Sequence, residues 1–458
     1  MMVSRNKSSF RRLVLTAALL SISALMVLGG LDEIARADDA VPVLTRGEGR
    51  FVLLSDGRVV GFDSPNDWAN LAYLTGLLGV KDIAAGGSFV YFTQTKDEIN
   101  YSHYKRIGQL AALTNSGALN IVDSSCGASD AGTVDCTYLP AREVPLKNKV
   151  KEIGGSDAFL AYIDVNGRLY LHKWREIREG NNTLDFRKAL AAENKISFTS
   201  IDINTNFVQI SVFEDMIAAR DDKKHIFIIG NKAELYEKFG QAPNKLSLND
   251  MSYVMFQANM PIERLDLGKL LYIRESNGNL YSLGRLSYKE EHSLFAISLQ
   301  DYDLKYKNLN YGQISLIDKN VKAVFALAQS TIFAHNNRQV TYMYRALGNF
   351  LFGDSEGEPV AEQKFGVNSN RNSLNSEDNS KFYVSNSRYE PDLFLRDVEI
   401  VSIDESYNRI IIIVDGKIYI SGWTDVYGYS VSQVKPDCGK LTTIRNTVEI
   451  DIPNCLKR

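Results

Sequence analysis

The chain has 458 residues, longer than one ordinary domain but within the range of β-barrels and propellers that form a single body. Its 52 basic and 55 acidic residues leave a net charge of −3, which excludes a bulk electrostatic pull toward nucleic acid or anionic membrane. Hydrophobic residues at 45% suffice for a large core, and the aromatics are mostly Tyr and Phe, as in β-rich proteins.

The first stretch reads as a targeting segment. Arg5, Lys7, Arg11 and Arg12 form a basic region, Leu13 to Leu28 is apolar, and Ala35-Arg36-Ala37 offers a small-x-small cleavage site. A signal peptide over 1–37 is expected, with 38–458 as one exported domain. The rival reading is an uncleaved anchor, because the apolar run approaches the ~20 residues that span a bilayer. Phe10 before the Arg pair favours general export over the twin-arginine route, and no Cys follows the run, which excludes a lipoprotein signal. No later run is long and apolar enough to span, so no stable membrane insertion is expected after cleavage.

The repeat units follow. Val41 to Gly49 is a strand with a glycine stop. Phe51 to Leu54 and Val59 to Phe62 make a hairpin around Asp56-Gly57, a strong turn signal. The second unit runs from Val80 to Leu110: a strand stopped by Gly86-Gly87, a strand from Phe89 to Thr93, a turn at Lys96-Asp97, a return strand from Ile99 to His103, and Gly108-Gln109-Leu110 as its close. Leu113 to Val122, turning at Ser116-Gly117, reads as an extra hairpin that opens an insertion over about 113–140. Later units open at Val150, Phe198, Ile262, Val321 and Val398. They turn at Asn166-Gly167, Asp222-Lys223, Asn277-Gly278, Asn336-Asn337 and Asp415-Gly416. The first apolar residues of the return strands (Val59, Ile99, Leu169, Ile226, Leu280, Val340, Ile418) recur on average roughly every 60 residues, the mark of a repeat architecture. The longest interruption, 353–396, holds a polar stretch from Asn368 to Ser380 that is either a mobile loop or a binding loop.

These residues resemble the regulator of chromosome condensation repeat family, whose pattern is an apolar strand ending in Ala-Ala-Gly, an Asp-Gly turn, a Val-Tyr strand and Gly-Gln-Leu. Here it is matched by Ile83-Ala84-Ala85-Gly86, Asp56-Gly57, Leu280-Tyr281, Ile418-Tyr419 and Gly108-Gln109-Leu110, and the likeness covers nearly the whole mature chain. It implies an all-β, seven-bladed propeller, in which small sheets packed face to face bury what one sheet alone cannot. Nuclear members of that family exchange nucleotide on a small GTPase, and secreted bacterial members include a propeller that inhibits β-lactamase. Export points to the second group. The run from Leu441 to Ile452 is a further strand, near which the two ends of the chain are expected to meet.

The four cysteines form two local pairs, Cys126 with Cys136 and Cys438 with Cys455, which fit disulfides of an exported protein. Other connectivities remain open. A zinc site would want C-x-x-C spacing or a nearby His, and neither is present.

No catalytic motif is found: no G-x-S-x-G, no H-E-x-x-H, no phosphate-cradling loop. The histidines His103, His172, His225, His292 and His335 are scattered, and although a ring of them could bind metal, structural roles are expected. Asp221-Asp222 and Glu290-Glu291 read as solvated loop charge. Trp68, Trp174 and Trp423 read as packing between blades, with an exposed sugar or protein contact as the alternative. The sequon at Asn181-Asn182-Thr183 carries little weight. The expectation is thus an exported, non-catalytic, monomeric scaffold without cofactor, catalytic residue or metal. Its partner would be a protein in the periplasm or outside a bacterial cell. The alternative is an envelope enzyme or sugar-binding protein that uses the channel mouth.

Overall fold

The computed structural model describes residues 40–450 except 63–70, 129–133, 179–195, 285–311, 346–380, 385–392, 423–438, 442–446 and gaps of one or two residues. The expected signal peptide, Cys438, Cys455, Trp68, Trp423, His292, Glu290-Glu291, the sequon and the stretch from Asn368 to Ser380 lie outside the described residues.

The described chain is almost entirely β. Strands β1 (Pro42–Arg46), β2 (Phe51–Leu54), β3 (Val59–Phe62) and β4 (Leu71–Tyr73) form the first sheet in sequence order. In the second, β5 (Val80–Lys96), β6 (Ile99–Thr114) and β7 (Leu119–Val122) pair in succession. A separate ribbon, β8 (Ser124–Ala128) with β9 (Val134–Tyr138), follows before β10 (Arg142–Glu143) pairs on β7. The third sheet holds β11 (Val150–Gly155), β12 (Phe159–Asp164) and β13 (Leu169–Lys173). Strand β14 (Glu176–Arg178) leaves it to pair on β5, and β15 (Thr199–Ser200) then completes it.

The fourth sheet has β16 (Phe207–Phe213), β17 (Met216–Asp221) and β18 (His225–Asn231). A short helix, α1 (Lys232–Phe239), comes next, then β19 (Asn244–Lys245) and β20 (Met251–Gln257). The helix starts where the Asn231 side chain accepts the Ala233 N–H and ends at left-handed Gly240. The fifth sheet is β21 (Ile262–Leu267), β22 (Leu271–Glu275), β23 (Leu280–Leu283) and β24 (Ser315–Asp318). Next comes a three-stranded sheet of β25 (Val321–Ala326), β26 (Ser330–His335) and β27 (Val340–Arg345). After a ribbon of β28 (Lys381–Val384) and β29 (Leu393–Arg396), the last sheet holds β30 (Ile400–Ser406), β31 (Arg409–Val414), β32 (Lys417–Gly422), β33 (Gly439–Leu441) and β34 (Thr447–Ile450), with β34 between β32 and β33.

This is an all-β propeller. The inner strands β1, β5, β11, β16, β21, β25 and β30 each pack on the next, and β30 packs back on β1. Apolar side chains fill the layers between successive sheets. Ile83, Ala85 and Leu110 of the second sheet face Phe51 and Leu53 of the first, while Ala84, Ala111 and Leu113 face Ile153, Leu160 and Trp174 of the third. Sheets buried on both faces need continuous apolar strands, which is why Phe159–Asp164 is buried at every position.

The expectation of seven full blades is corrected. Six sheets reach the four or five strands of a complete blade, and the unit opening at Val321 forms three strands among the described residues. The second unit is also redrawn. Gly86-Gly87 does not stop a strand, because β5 and β6 run on as one long hairpin with Gly87 opposite Gly108. Gly108-Gln109-Leu110 therefore lies inside β6 and does not close the unit. The turn at Ser116-Gly117, read as part of an insertion, joins β6 to β7, so Leu119 and not Ile99 marks the return strand. It falls roughly 60 residues after Val59 and roughly 50 before Leu169, which evens the repeat. The fourth unit opens at Phe207, since Thr199–Ser200 is the outer strand of the third sheet.

Candidate functional site

The inner strands share one irregularity. Their pairing slips between the first and third residues, at Pro42/Leu44, Val80/Asp82, Val150/Glu152, Phe207/Gln209, Ile262/Arg264, Val321/Ala323 and Ile400/Ser402. Each slip is a β-bulge or a like irregularity of the ladder, of the kind that re-aims the residue after it. At four of these openings the turn of the unit behind docks on the inner strand: the Gly57 carbonyl accepts the Val80 N–H at 3.0 Å, Gly117 that of Val150 at 2.8 Å, Gly167 that of Phe207 at 2.8 Å, and Gly278 that of Val321 at 2.9 Å. Gly57 and Gly117 need φ of +82° and +85° to make these turns.

Charged side chains from the inner strands converge on the axis of the ring. Arg46 comes from β1, Asp82 from β5, Glu152 from β11, and Arg264 and Asp266 from β21. The Arg264 Nε lies 3.4 Å from Asp266 Oδ1, and its side chain is 47% exposed although carboxylates from three sheets surround it, as expected in a wet channel. Burial opposes its charge, but Asp266 and Glu152, with Asp82 behind them, more than offset that and raise its pKa. Burial raises the pKa of Asp266 against the pull of Arg264, Arg274 and Arg46. Burial likewise raises Asp82, against Arg46 and a 2.9 Å bond from the Ile83 N–H. Burial lifts Glu152 to about 7, against Arg264 and the Ile210 N–H, while Asp82 adds to the rise.

A carboxyl that titrates near neutrality beside fixed positive charge is the minimum of an acid–base site. Its neighbours in the repeat favour a structural role. Gln209 Oε1 accepts the Leu265 N–H at 3.0 Å and Ser402 Oγ accepts the Thr45 N–H at 3.2 Å. Glu152 accepts the Ile210 N–H from the same position of its own unit. Three side chains of different chemistry thus make one bond, from the third residue of one inner strand to the fourth residue of the next. In the sequence the openings Val80-Lys81-Asp82-Ile83, Val150-Lys151-Glu152-Ile153 and Ile262-Glu263-Arg264-Leu265 read as strands by their apolar members alone. The polar third position was the available signal.

The described histidines do not converge. His172 Nδ1 lies 3.1 Å from the Ser197 carbonyl and its ring meets Trp174 edge-on. His335 Nδ1 lies 3.2 Å from the Lys319 carbonyl. His103 sits opposite Phe92 in the β5–β6 ladder. His225 Nδ1 is 2.8 Å from Asp221. Asp221 is not solvated loop charge: it is 1% exposed and accepts the Lys223 and His225 N–H groups and the Thr205 hydroxyl. Burial would raise its pKa, but these bonds and His225 outweigh it and hold the carboxyl low. Trp174 is buried and donates to the Ser156 carbonyl at 3.1 Å, a packing role. Among the described residues no group of three or more His, Cys, Asp or Glu is placed to hold a metal, and no helix is long and apolar enough to cross a membrane.

A second feature stands away from the channel. The hairpin β5–β6 stays paired from Val80 opposite Thr114 to Lys96 opposite Ile99, while β7 pairs only with Leu110–Leu113. Beyond Gly87 the hairpin continues for roughly 30 Å at strand rise. Strand β14 pairs in parallel along Phe89–Tyr91. The register sets Tyr91 opposite Tyr104 and Phe92 opposite His103, so aromatic positions fall on both faces of this arm. At its base, Asp123 accepts Gln109 Nε2 at 2.6 Å and Arg142 Nε at 2.7 Å.

The ribbon β8–β9 begins there. Cys126 is opposite Cys136. The Leu139 N–H donates to the Asp123 carbonyl at 2.8 Å, which sets the phase of the ladder and makes the Cys pair a non-hydrogen-bonded one. Such pairs hold their Cα atoms about 4.5 Å apart, inside the range a disulfide bridges.

No family model matches the chain, and no curated protein matches its sequence. Solved structures do. Human WBSCR16 shares 11% identity over 84% of this chain and 85% of that one, with a TM-score of 0.46. Prp20p from Saccharomyces cerevisiae, described with its binding to Gsp1p and histones, shares 12% over 77% of each chain, with a TM-score of 0.45. PorZ, a surface component of the type-IX secretion system of Porphyromonas gingivalis, shares 11% over 81% of this chain and 35% of that one, with a TM-score of 0.35. At such identities the likeness concerns the fold alone.

Proposed function

We propose that the protein is an exported, non-catalytic propeller of the regulator of chromosome condensation repeat family. Its role on this reading is to bind a protein partner through the β5–β6 arm. The observation that carries the proposal is the arm itself. It carries the β5–β6 pairing well past the residues on which β7 pairs and places aromatic positions along both strands. Projecting insertions on repeat scaffolds are where binding concentrates. The test is affinity capture from an envelope extract with the mature chain and with a variant in which residues 90–105 are replaced by a two-residue turn. A specific protein held by the first and lost by the second supports the proposal. Equal capture by both, with the shortened chain still folded, removes the arm from it.

Export and the disulfides belong to the same proposal. The cross-strand placement of Cys126 and Cys136 supports the first pair, and the second, Cys438 with Cys455, is carried over from the sequence. Peptide mapping of exported material without reductant is expected to show both links, and intact mass to show Asp38 as the first residue. Free thiols, or a chain that keeps Leu13 to Leu28, would refute the oxidising-compartment reading. The rival function, an enzyme acting at the channel, is favoured by the elevated pKa of Glu152. Turnover of a glycan or ester by the purified chain, abolished in Glu152→Gln, would establish that rival instead.

A further inference from the structure

The net charge of −3 conceals an uneven distribution. The inner strands start at the end of the sheets where the turns between second and third strands lie, and the β5–β6 arm leaves from the opposite end. At the first end, backbone bonds join the second, third and fourth sheets into one rim. Gly117 takes the Val150 N–H at 2.8 Å, Lys149 that of Val165 at 3.0 Å, Gly167 that of Phe207 at 2.8 Å, and Asn206 that of Asp222 at 3.1 Å. The loops that these three sheets present there, 115–118, 139–149, 165–168, 201–206, 222–224 and 258–261, lie wholly within the described residues.

This rim is basic. Lys147, Lys149, Lys151, Arg168, Lys223 and Lys224 are exposed, and none of them forms an ion pair among the described residues. The exposed acids beside them are Glu143, Asp202 and Asp222, and Asp222 already accepts Asn206 Nδ2 at 2.8 Å. Glu152 turns to the Ile210 N–H beside the axis. Two aliphatic tips project among these charges. Val165, 56% exposed, stands in the turn that ends at Arg168. Leu78, 69% exposed, belongs to the loop whose Thr75 carbonyl takes the Ala141 N–H at 3.0 Å.

The N–H groups of these turns are taken internally. Asp164 accepts those of Asn166 and Arg168, Asp221 those of Lys223 and His225, and Thr114 those of Gly117 and Ala118. A fixed anion site is made from successive backbone N–H groups that are still open, so these turns do not build one. The rim offers instead cations on flexible stems, spread over three sheets, with aliphatic tips between them. That combination suits a fluid layer of anionic headgroups above apolar tails, in which each cation finds its own phosphate and the tips enter the interface.

We infer that this rim is a docking surface for an anionic lipid bilayer. Dispersed charge and shallow insertion of Leu78 and Val165 hold the chain there, without a headgroup pocket. The arm leaves from the other end of the sheets and stays on the side away from the bilayer. The inference is independent of what the arm binds.

Co-sedimentation of the mature full-length chain with vesicles tests it. The chain is expected to bind vesicles of equal parts phosphatidylglycerol and phosphatidylcholine, to ignore phosphatidylcholine alone, and to bind more weakly as salt is raised. A basic residue near such a surface is worth roughly fivefold, so the triple variant Lys147→Glu, Lys149→Glu, Lys223→Glu is expected to lose at least about a hundredfold in affinity. Lys173→Glu, Lys232→Glu, Lys245→Glu changes the net charge equally at exposed positions toward the opposite end of the third and fourth sheets, and is expected to bind nearly as the wild type does. Leu78→Asn with Val165→Asn keeps every charge and is expected to bind several-fold more weakly. All the substituted positions are exposed, and unchanged melting checks that each variant folds. A wild-type chain that binds neither vesicle overturns the inference. So does equal loss in the two triple variants, which would make net charge the cause. Undiminished binding by the Leu78–Val165 variant would also overturn it, in favour of a soluble polyanion held by charge alone.

Discussion

Glu152 and Gln209 stand at the same place in successive units and make the same bond, yet only one of them titrates. Burial lifts the Glu152 carboxyl to about 7 from an ordinary 4.5, so the folded chain holds a proton that the unfolded chain releases. Between those two values the native state binds more protons, and the contribution of Glu152 to stability falls as pH rises through the window. Glu152→Gln keeps an acceptor for the Ile210 N–H and removes the titration. Its melting temperature is therefore expected to match the wild type near pH 4.5 and to exceed it at pH 8, by the equivalent of about 1–3 kcal/mol. A lower melting temperature at pH 8 would mean that attraction to Arg264 outweighs burial, and would overturn the assignment. None of this was legible from composition. A polar residue in an apolar strand opening looks like surface until the register shows that the same position recurs in every inner strand.

At the scale of elements, the apolar patterns and turn dipeptides were readable, and the glycines were not. The hairpin at Asp56-Gly57 and the return strands at Leu169, Ile226, Leu280 and Ile418 lie where alternation and turn chemistry put them. Gly86-Gly87 misled because glycine inside a strand pattern has two meanings, a stop or a close approach. Here it is the second. A Cβ on Gly86 would strike the Trp174 indole and fall 2.6 Å from the Ser156 carbonyl, and a Cβ on Gly155 would fall 2.7 Å from the Ala85 carbonyl. The glycines let the second and third inner strands touch. Gly86→Ala is accordingly expected to destabilise the chain by about 1–3 kcal/mol, the usual cost of overpacking, in chemical denaturation. A change below about 0.5 kcal/mol would show that Trp174 can move aside and that the contact is not tight.

For the whole molecule, the ring closes by the same bond that joins its middle units. Ser402 reaches Thr45 across 357 positions of sequence as Gln209 reaches Leu265 across 56. The first and last sheets meet face to face, each complete in itself, and the strand expected near the C-terminal end (β34) pairs within the last sheet. Sequence repetition told that the chain was a propeller. It could not tell how complete each unit is, because the outer strands β4, β15 and β24 are short and share no pattern. The long hairpin adds a mechanical property to this closed body. Strand β5 is one unbroken segment from Asp82, beside the axis, to Lys96 at the tip of the arm. Tension applied at the tip runs along both paired strands of the hairpin toward the strand opening that holds Asp82. On the proposed reading, a partner that holds the tip pulls along the same strand that carries Asp82.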